Sequence, residues 1–180
     1  MLHFEYKQSA TPYHFAINIP ANKEFEALKW LKSRCPILKD GEDEIINFTA
    51  WNAKAIYFYD EDKNIVELIA RKNLKNASDH NFGPEHFLEI SEIGVPTTDI
   101  EREFNTLKHA MDIAIYDGGF GNFCAIGDEN GLLICINRER KDWYPTQDKA
   151  SPSEFELKLS QNRKTYGIEF KNEKIIVGFP

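Results

Sequence analysis

The chain has 180 residues, of which 42% are hydrophobic and 13% aromatic, and its formal net charge is -7. This length and apolar content allow a sizeable buried core, so we expect a globular protein, and a disordered chain is excluded. The acidic balance offers no basic surface to nucleic acid or to an anionic membrane, so neither partner is expected.

Nothing in the sequence predicts export or membrane insertion. The first residues, Met1 to Tyr6, lack the basic start and apolar run of a signal peptide, and no stretch approaches the roughly twenty apolar residues of a membrane span. The three cysteines lack CxxC spacing and lie in apolar segments, which predicts free buried thiols; they are Cys35, Cys124 and Cys135. We expect a soluble, cytoplasmic protein.

The first predicted element is a half-buried strand over residues 13–20, which Pro20 ends. Strict alternation places His14, Ala16 and Asn18 on a polar face, opposite an apolar face made of Tyr13, Phe15, Ile17 and Ile19. His14 is therefore expected on the polar side of the sheet.

A helix is predicted next, capped by Asn22 and running to about Arg34, where Cys35-Pro36 stops it. Its apolar stripe consists of Phe25, Leu28, Trp30 and Leu31. A turn at residues 41–43 and a strand over residues 44–51 follow.

Residues 54–71 predict a hairpin. Aromatic residues 57–59 and the apolar run Ile65 to Ile69 lie on either side of an Asp/Asn-rich turn that begins at Asp60. Glu67 interrupts the second run, and a carboxylate there must face a polar cavity or find a partner. We therefore interpret Glu67 as a candidate functional acid.

The same order of predicted strands and helix begins again after a polar linker over residues 72–86. A strand over residues 87–96 ends in Pro96, and Thr97-Thr98-Asp99 is expected to cap a helix with Ile100, Phe104, Leu107 and Met111 on its buried side. Short strands over residues 113–116, 122–126 and 132–137 complete an internal repeat. The remaining histidines are expected to be solvated; they are His3, His80, His86 and His109.

The chain is thus expected to divide into segments 1–71, 72–86, 87–140 and 141–180. The last is a β-rich C-terminal extension with strands over residues 155–159, 164–170 and 174–179. We expect it to cover a sheet edge or to form a dimer contact.

Two βαβββ copies, with His-x-x-Ile-x-Ile-Pro on the first strand and Asp-x-Asp-x-Asn-Ile-Val-Glu-Leu on the last hairpin, resemble the vicinal oxygen chelate superfamily. That superfamily includes glyoxalase I, extradiol dioxygenases and the bleomycin and fosfomycin resistance proteins. The resemblance covers about residues 12–138. It implies an α+β fold in which two paired βαβββ modules form a curved, cup-shaped sheet that can hold a divalent metal.

Carried over by position, the resemblance implies His14 and Glu67 as metal ligands from the first module. The second module departs from the pattern, because Ile90 stands where His14 would recur and Cys135 where Glu67 would recur. Alternation along the strand sends Glu92 to the face of the vacant position, so His14, Glu67 and Glu92 would form a triad. The alternative is a polar cup without metal, in which Glu67 pairs with His14 or Arg71.

Three functions are compatible with these residues. The first is binding of a small aromatic or oxygenated molecule in the cup, and the second is a divalent-metal-dependent lyase or ring-cleaving dioxygenase in which Glu67 is both ligand and base. The third is a non-catalytic sequestering or resistance protein that acts as a homodimer. A single Zn, Ni, Mn or Fe ion and no cofactor are equally compatible with the residues. The residues expected to contact a ligand are His14, Asn18, Trp51, Glu92, Phe123, Cys135 and Trp143.

Overall fold

The structure is a computed structural model that describes residues 2–178. Within that range the chain forms a mixed α+β structure with two α-helices and twelve strands. Among these residues there is no helix long and apolar enough to cross a membrane. The chain divides into two compact units, which we call the N-unit, residues 12–93 and 144–147, and the C-unit, residues 2–11, 94–143 and 148–178.

The N-unit carries strands β1 to β5, helix α1 and the start of β6. Their bounds are β1 His14–Ile19, α1 Glu24–Lys32, β2 Ile37–Leu38, β3 Ile46–Phe48, β4 Ala53–Tyr59, β5 Ile65–Arg71 and β6 Ile90–Thr97. The strand order is β2-β4-β5-β1-β6, and β3 pairs with β4. Strand β1 runs parallel to β5 and antiparallel to β6, so it is hydrogen-bonded on both edges.

One face of this sheet forms the core against α1. Ile19, Ile56 and Leu68 from three neighbouring strands pack with Ala27 and Leu31 of the helix. Burying this apolar face leaves the residues between them, His14 and Asn18 among them, on the other face. That face is also buried, which corrects the half-buried prediction: both strand edges of β1 are paired and its two faces are covered.

Helix α1 starts later than predicted. Asn22 does not cap it, because the Asn22 side chain instead bonds both backbone groups of Ser78, accepting from the N–H at 3.0 Å and donating to the carbonyl at 2.9 Å. Phe25 is also wrongly predicted as buried, since it is 65% exposed. The apolar stripe is narrower than expected, with Leu31 at its centre.

The predicted hairpin of β4 and β5 is confirmed. Asp60 holds its turn by accepting the backbone N–H groups of Asp62 and Asn64 at 3.0 and 2.8 Å. The strand predicted over residues 44–51 is shorter: β3 spans Ile46–Phe48, and a 3-10 turn to Trp51 follows, which ends at Asn52 in a left-handed conformation.

The linker is more structured than its composition indicates. His86 was expected to be solvated, but it is buried, and its ring accepts the Gly83 N–H at Nδ1 and bonds Ser78 Oγ at Nε2. His3, His80 and His109 are exposed as expected. The linker is therefore fastened by side-chain hydrogen bonds that no periodic pattern encodes.

The C-unit carries the rest of β6, helix α2 and strands β7 to β12. Their bounds are α2 Ile100–Ala110, β7 Ile115–Gly118, β8 Phe123–Asp128, β9 Gly131–Asn137, β10 Phe155–Gln161, β11 Lys164–Lys171 and β12 Lys174–Gly178. The strand orders are β6-β9-β8-β7 and β10-β11-β12. Strand β1 thus lies beside β5, and β6 lies beside β9, in each case the last strand of a hairpin.

The predicted Asp99 cap of α2 is confirmed, because its carboxylate accepts the Arg102 N–H at 3.0 Å. Strand β7 begins two residues later than predicted. The three C-terminal strands are confirmed, although Phe179, the predicted end of the last one, lies outside the described residues.

Glu103 of α2 connects the helix to the C-terminal strands. Its carboxylate is fully buried and accepts the Ile175 N–H at 2.8 Å and the Thr97 hydroxyl at 3.0 Å. Arg102 completes the group by pairing with Glu103 and donating to the Glu173 carbonyl at 2.8 Å. Glu103, which the predicted apolar stripe of α2 does not include, is thus a buried polar anchor for β12.

Candidate functional site

Three buried polar residues of the N-unit meet on the sheet face opposite α1. The strand register aligns Ala16 of β1 with Glu67 of β5 on one side and with Glu92 of β6 on the other. His14 lies two residues earlier on the same face of β1. Ligand atoms of His14, Glu67 and Glu92 all lie within 4.8 Å of one another, so these three residues could hold a metal ion.

The His14 ring is oriented with Nε2 toward Glu67. Its Nδ1 lies 3.2 Å from the Ile65 carbonyl, and because a carbonyl only accepts, Nδ1 carries the proton. The lone pair is therefore on Nε2, which lies 3.8 Å from Glu67 Oε2. Burial lowers the pKa of His14 to about 4, so the imidazole is neutral at pH 7.

Glu67 lies in an environment that disfavours its charge. Burial raises its pKa well above the usual value, the neighbouring Glu92 carboxylate raises it further, and a hydrogen bond from Tyr57 opposes the rise. The Tyr57 ring stacks on His14 with 6.2 Å between ring centroids. Two carboxylates that repel each other in a buried site create a place where a cation would be stabilised.

Glu92 is paired with a buried arginine. Burial raises the pKa of Glu92 to about 7, while its ion pair with Arg71 opposes the rise. Arg71 is fully buried, donates from Nε to Asn18 Oδ1 at 3.2 Å and lies over Trp51 with 5.5 Å from Cζ to the ring centroid. Within residues 2–178 its Nη1 has no hydrogen-bond partner.

A β-bulge in β6 changes which residues of this strand lie on the face that carries the cluster. Ala16 pairs with Glu92 but Ile17 pairs with Ile90, so one residue of β6 is extra and Ile90 lies on the α1 side of the sheet. Glu89 takes the place next to Asn18 and accepts its Nδ2 at 2.6 Å. The assumption that Ile90 and Glu92 share a face is therefore wrong.

Aromatic rings surround the cluster on the β4 side. Tyr144 packs edge-on against Tyr57, with centroids 6.3 Å apart, and its hydroxyl donates to Asp40 at 2.6 Å. Phe48 lies between Tyr144 and Trp51, 6.2 and 6.1 Å from their centroids. These rings form an apolar wall beside the charged groups, a common arrangement in small-molecule sites.

The structure brings five of the sequence-predicted site residues together in the N-unit; they are His14, Asn18, Trp51, Glu67 and Glu92. The other three belong to the C-unit; they are Phe123, Cys135 and Trp143. Cys135 is fully buried opposite Cys124, and burial raises the pKa of its thiol well above the usual value, with smaller contributions from Cys124 and Glu103. The predicted site residues do not include Tyr57, Glu89 or Tyr144, and the sequence indicates Arg71 only as a partner of Glu67.

Acid should destabilise the metal-free protein through His14. The unfolded imidazole takes up a proton near pH 6.5 and the folded one only near pH 4, so the unfolded state binds more protons and stability falls as the pH drops between these values. Between pH 6.5 and 5 the loss should be about 1–2 kcal/mol larger in wild type than in His14→Gln. Urea unfolding in chelator at both pH values tests this, with exposed His109→Gln as control; equal pH dependence of wild type and His14→Gln would contradict it.

No protein-family model matches this sequence, and a search of curated proteins finds no match. Among solved structures, the chain is similar to a "putative dioxygenase" from Bacillus subtilis subsp. subtilis str. 168, with a TM-score of 0.54 and 12% sequence identity. The match covers 93% of this chain and 62% of that chain, so this chain spans less than two thirds of that protein. At this identity the similarity concerns the fold, and the fold by itself does not assign an activity.

Proposed function

We propose that the protein is a metal-dependent, dioxygenase-like enzyme whose centre is the cluster of His14, Glu67 and Glu92. In this proposal the N-unit and C-unit sheets correspond to the two βαβββ modules of the vicinal oxygen chelate superfamily. The single observation that carries the proposal is that three buried ligand atoms from three strands converge within 4.8 Å.

The groups around the cluster support the proposal, because each ligand is held by a separate partner. The Ile65 carbonyl orients His14, Tyr57 hydrogen-bonds Glu67, and Arg71 holds Glu92. Outer partners of this kind orient the ligands of metal sites and keep His in the tautomer that binds. The donor set of one imidazole and two carboxylates suits Mn²⁺ or Fe²⁺ better than a soft ion.

A bound divalent ion would polarise substrate oxygens as a Lewis acid. The residues of the chain would do the rest: Glu67, buried and hydrogen-bonded to Tyr57, is the group that could accept a proton from the substrate. The rings of Trp51 and Tyr144 would exclude water and contact the organic part of the substrate.

Metal content tests this proposal. Protein purified without chelator and titrated with Mn²⁺ should bind about one ion per chain, and Glu67→Gln should weaken binding at least about tenfold, since even the loss of an outer partner costs about 10–100-fold. Glu24→Gln is the matched control, because Glu24 is a buried carboxylate of the same unit that pairs with Lys72 instead. A wild type that binds none of Mn²⁺, Fe²⁺, Ni²⁺ or Zn²⁺, or equal affinity in Glu67→Gln, would refute the proposal.

A second candidate is a metal-free protein that binds a small organic molecule. The Arg71–Glu92 pair favours it, because this arginine already compensates one of the two carboxylates. The same titration separates the two functions. Wild type that stays empty of metal and still binds small aromatic molecules would establish the second candidate.

A further inference from the structure

Arg71, beside the cluster, has one side-chain nitrogen that donates no hydrogen bond to residues 2–178. Its Nε bonds Asn18 and its Nη2 pairs with Glu92, but Nη1 has no partner within residues 2–178, although the side chain is fully buried. A buried donor without an acceptor is costly, so such a group in a folded protein calls for an explanation, such as a ligand or an ordered water. The guanidinium cannot relieve this cost by losing its proton.

The charges of the metal-loaded site point to an anion as the missing acceptor. Two ionised carboxylates, one guanidinium, a neutral imidazole and a divalent ion leave one excess positive charge in a buried place. Uncompensated buried charge is expensive, and a monoanionic ligand would cancel it. The donor that lacks an acceptor is on the same guanidinium that holds Glu92, one of the proposed ligands.

We propose that Nη1 of Arg71 binds a carboxylate oxygen of the substrate, and that the substrates are small 2-oxo or 2-hydroxy carboxylic acids. This inference rests on the proposed metal function. Such an acid offers two neighbouring oxygens to the ion and a third oxygen to Arg71, in a hydrogen bond of the strong, charge-assisted type. The Trp51 ring, against which the guanidinium lies, holds Arg71 in place.

Two probes that differ in one group test the inference on the wild-type protein. Pyruvate and pyruvamide have the same shape and the same neighbouring oxygens, but only pyruvate carries a carboxylate. Calorimetric titration of the Mn²⁺-loaded protein should show pyruvate binding at least about tenfold more tightly, as expected for a buried charge-assisted hydrogen bond. The preference for pyruvate should disappear when Mn²⁺ is removed, because the excess positive charge disappears with it.

Variants then assign the effect to Arg71. Arg71→Lys keeps the positive charge but lacks the second planar N–H group, so it should lose most of the preference for pyruvate when both probes are compared at saturating Mn²⁺, a condition needed because the variant also changes the partner of Glu92. Arg102→Lys, in the C-unit, alters an arginine that also pairs with a buried carboxylate and should keep the preference.

The outcomes separate the two proposals. Equal affinities for pyruvate and pyruvamide on wild type that binds Mn²⁺ would overturn the role of Arg71 and leave the metal function standing. Wild type that binds no Mn²⁺ would overturn the metal function and this inference with it. Equal affinities on wild type would overturn the inference even if the Arg71 variant does not fold, and a preference for pyruvate is assigned to Arg71 when Arg71→Lys loses it, because the ion itself also favours a carboxylate over an amide oxygen.

Discussion

Replacing Arg71 with methionine is expected to destabilise the metal-free protein by about 3–5 kcal/mol at pH 8, because Glu92 is then left as a buried charge without its partner. The side chains of Arg71 and Glu92 are 0% and 4% exposed, so water cannot replace the lost ion pair. Asn18 Oδ1 also loses the donor that Arg71 Nε provides. Chemical denaturation in chelator measures the change.

A double variant isolates the cause. Arg71→Met combined with Glu92→Gln removes both charges and should recover a large part of the lost stability, because breaking a buried pair costs more than removing it whole. The control is Arg138→Met, which breaks the Arg138–Glu173 pair whose side chains are both 33% exposed. That change should cost only about 0–1 kcal/mol. A double variant as unstable as Arg71→Met alone would show that packing of the long side chain, not charge, is responsible.

Replacing Glu103 with alanine is expected to lower the free energy of unfolding by a similar amount, about 3–5 kcal/mol, because it leaves several buried hydrogen-bond donors without an acceptor. The Ile175 N–H and the Thr97 hydroxyl lose their acceptor, and Arg102 loses its ion-pair partner. Because Ile175 belongs to β12, amide exchange there should accelerate most. Thermal or chemical denaturation together with hydrogen exchange measures both consequences.

Glu101→Ala is the matched control for this change. Glu101 lies in the same first turn of α2 but is exposed, so its loss removes only a favourable interaction with the helix dipole, worth about 0.3–1 kcal/mol. Equal destabilisation by the two substitutions would mean that the buried hydrogen bonds of Glu103 do not anchor β12.

Local signals explain which parts of the fold could be predicted. The hairpin of β4 and β5 follows from an aromatic run, an Asp/Asn turn and an apolar run that are adjacent in sequence. The cap of α2 follows from the predicted capping segment Thr97-Thr98-Asp99, in which Asp99 accepts the Arg102 N–H three residues later. Asn22 shows the limit of the same rule, because a competing partner, Ser78, lies far away in sequence and takes its side chain.

Part of the candidate site could also be predicted from the sequence. Alternation along β1 predicts His14 on the polar face, and the resemblance pairs it with Glu67; the structure places His14 Nε2 and Glu67 Oε2 3.8 Å apart. Glu92 was also named, but through an alternation that includes Ile90, and the bulge interrupts it. Arg71 was seen as a candidate partner of Glu67, whereas its ion pair is with Glu92. Whether these residues bind a metal stays a prediction.

The sequence by itself determined most of the order of helices and strands and the residues that β1 turns to the sheet face carrying the cluster, since both depend on periodicity within a few residues. Only the tertiary structure decided which partners these side chains have. Strand register joins β1 to β5 and β6, and it alone brings Glu67 and Glu92 to either side of Ala16. Pairings such as Arg71 with Glu92 and Glu103 with Ile175 depend on where distant segments meet in three dimensions, and no local pattern carries that information.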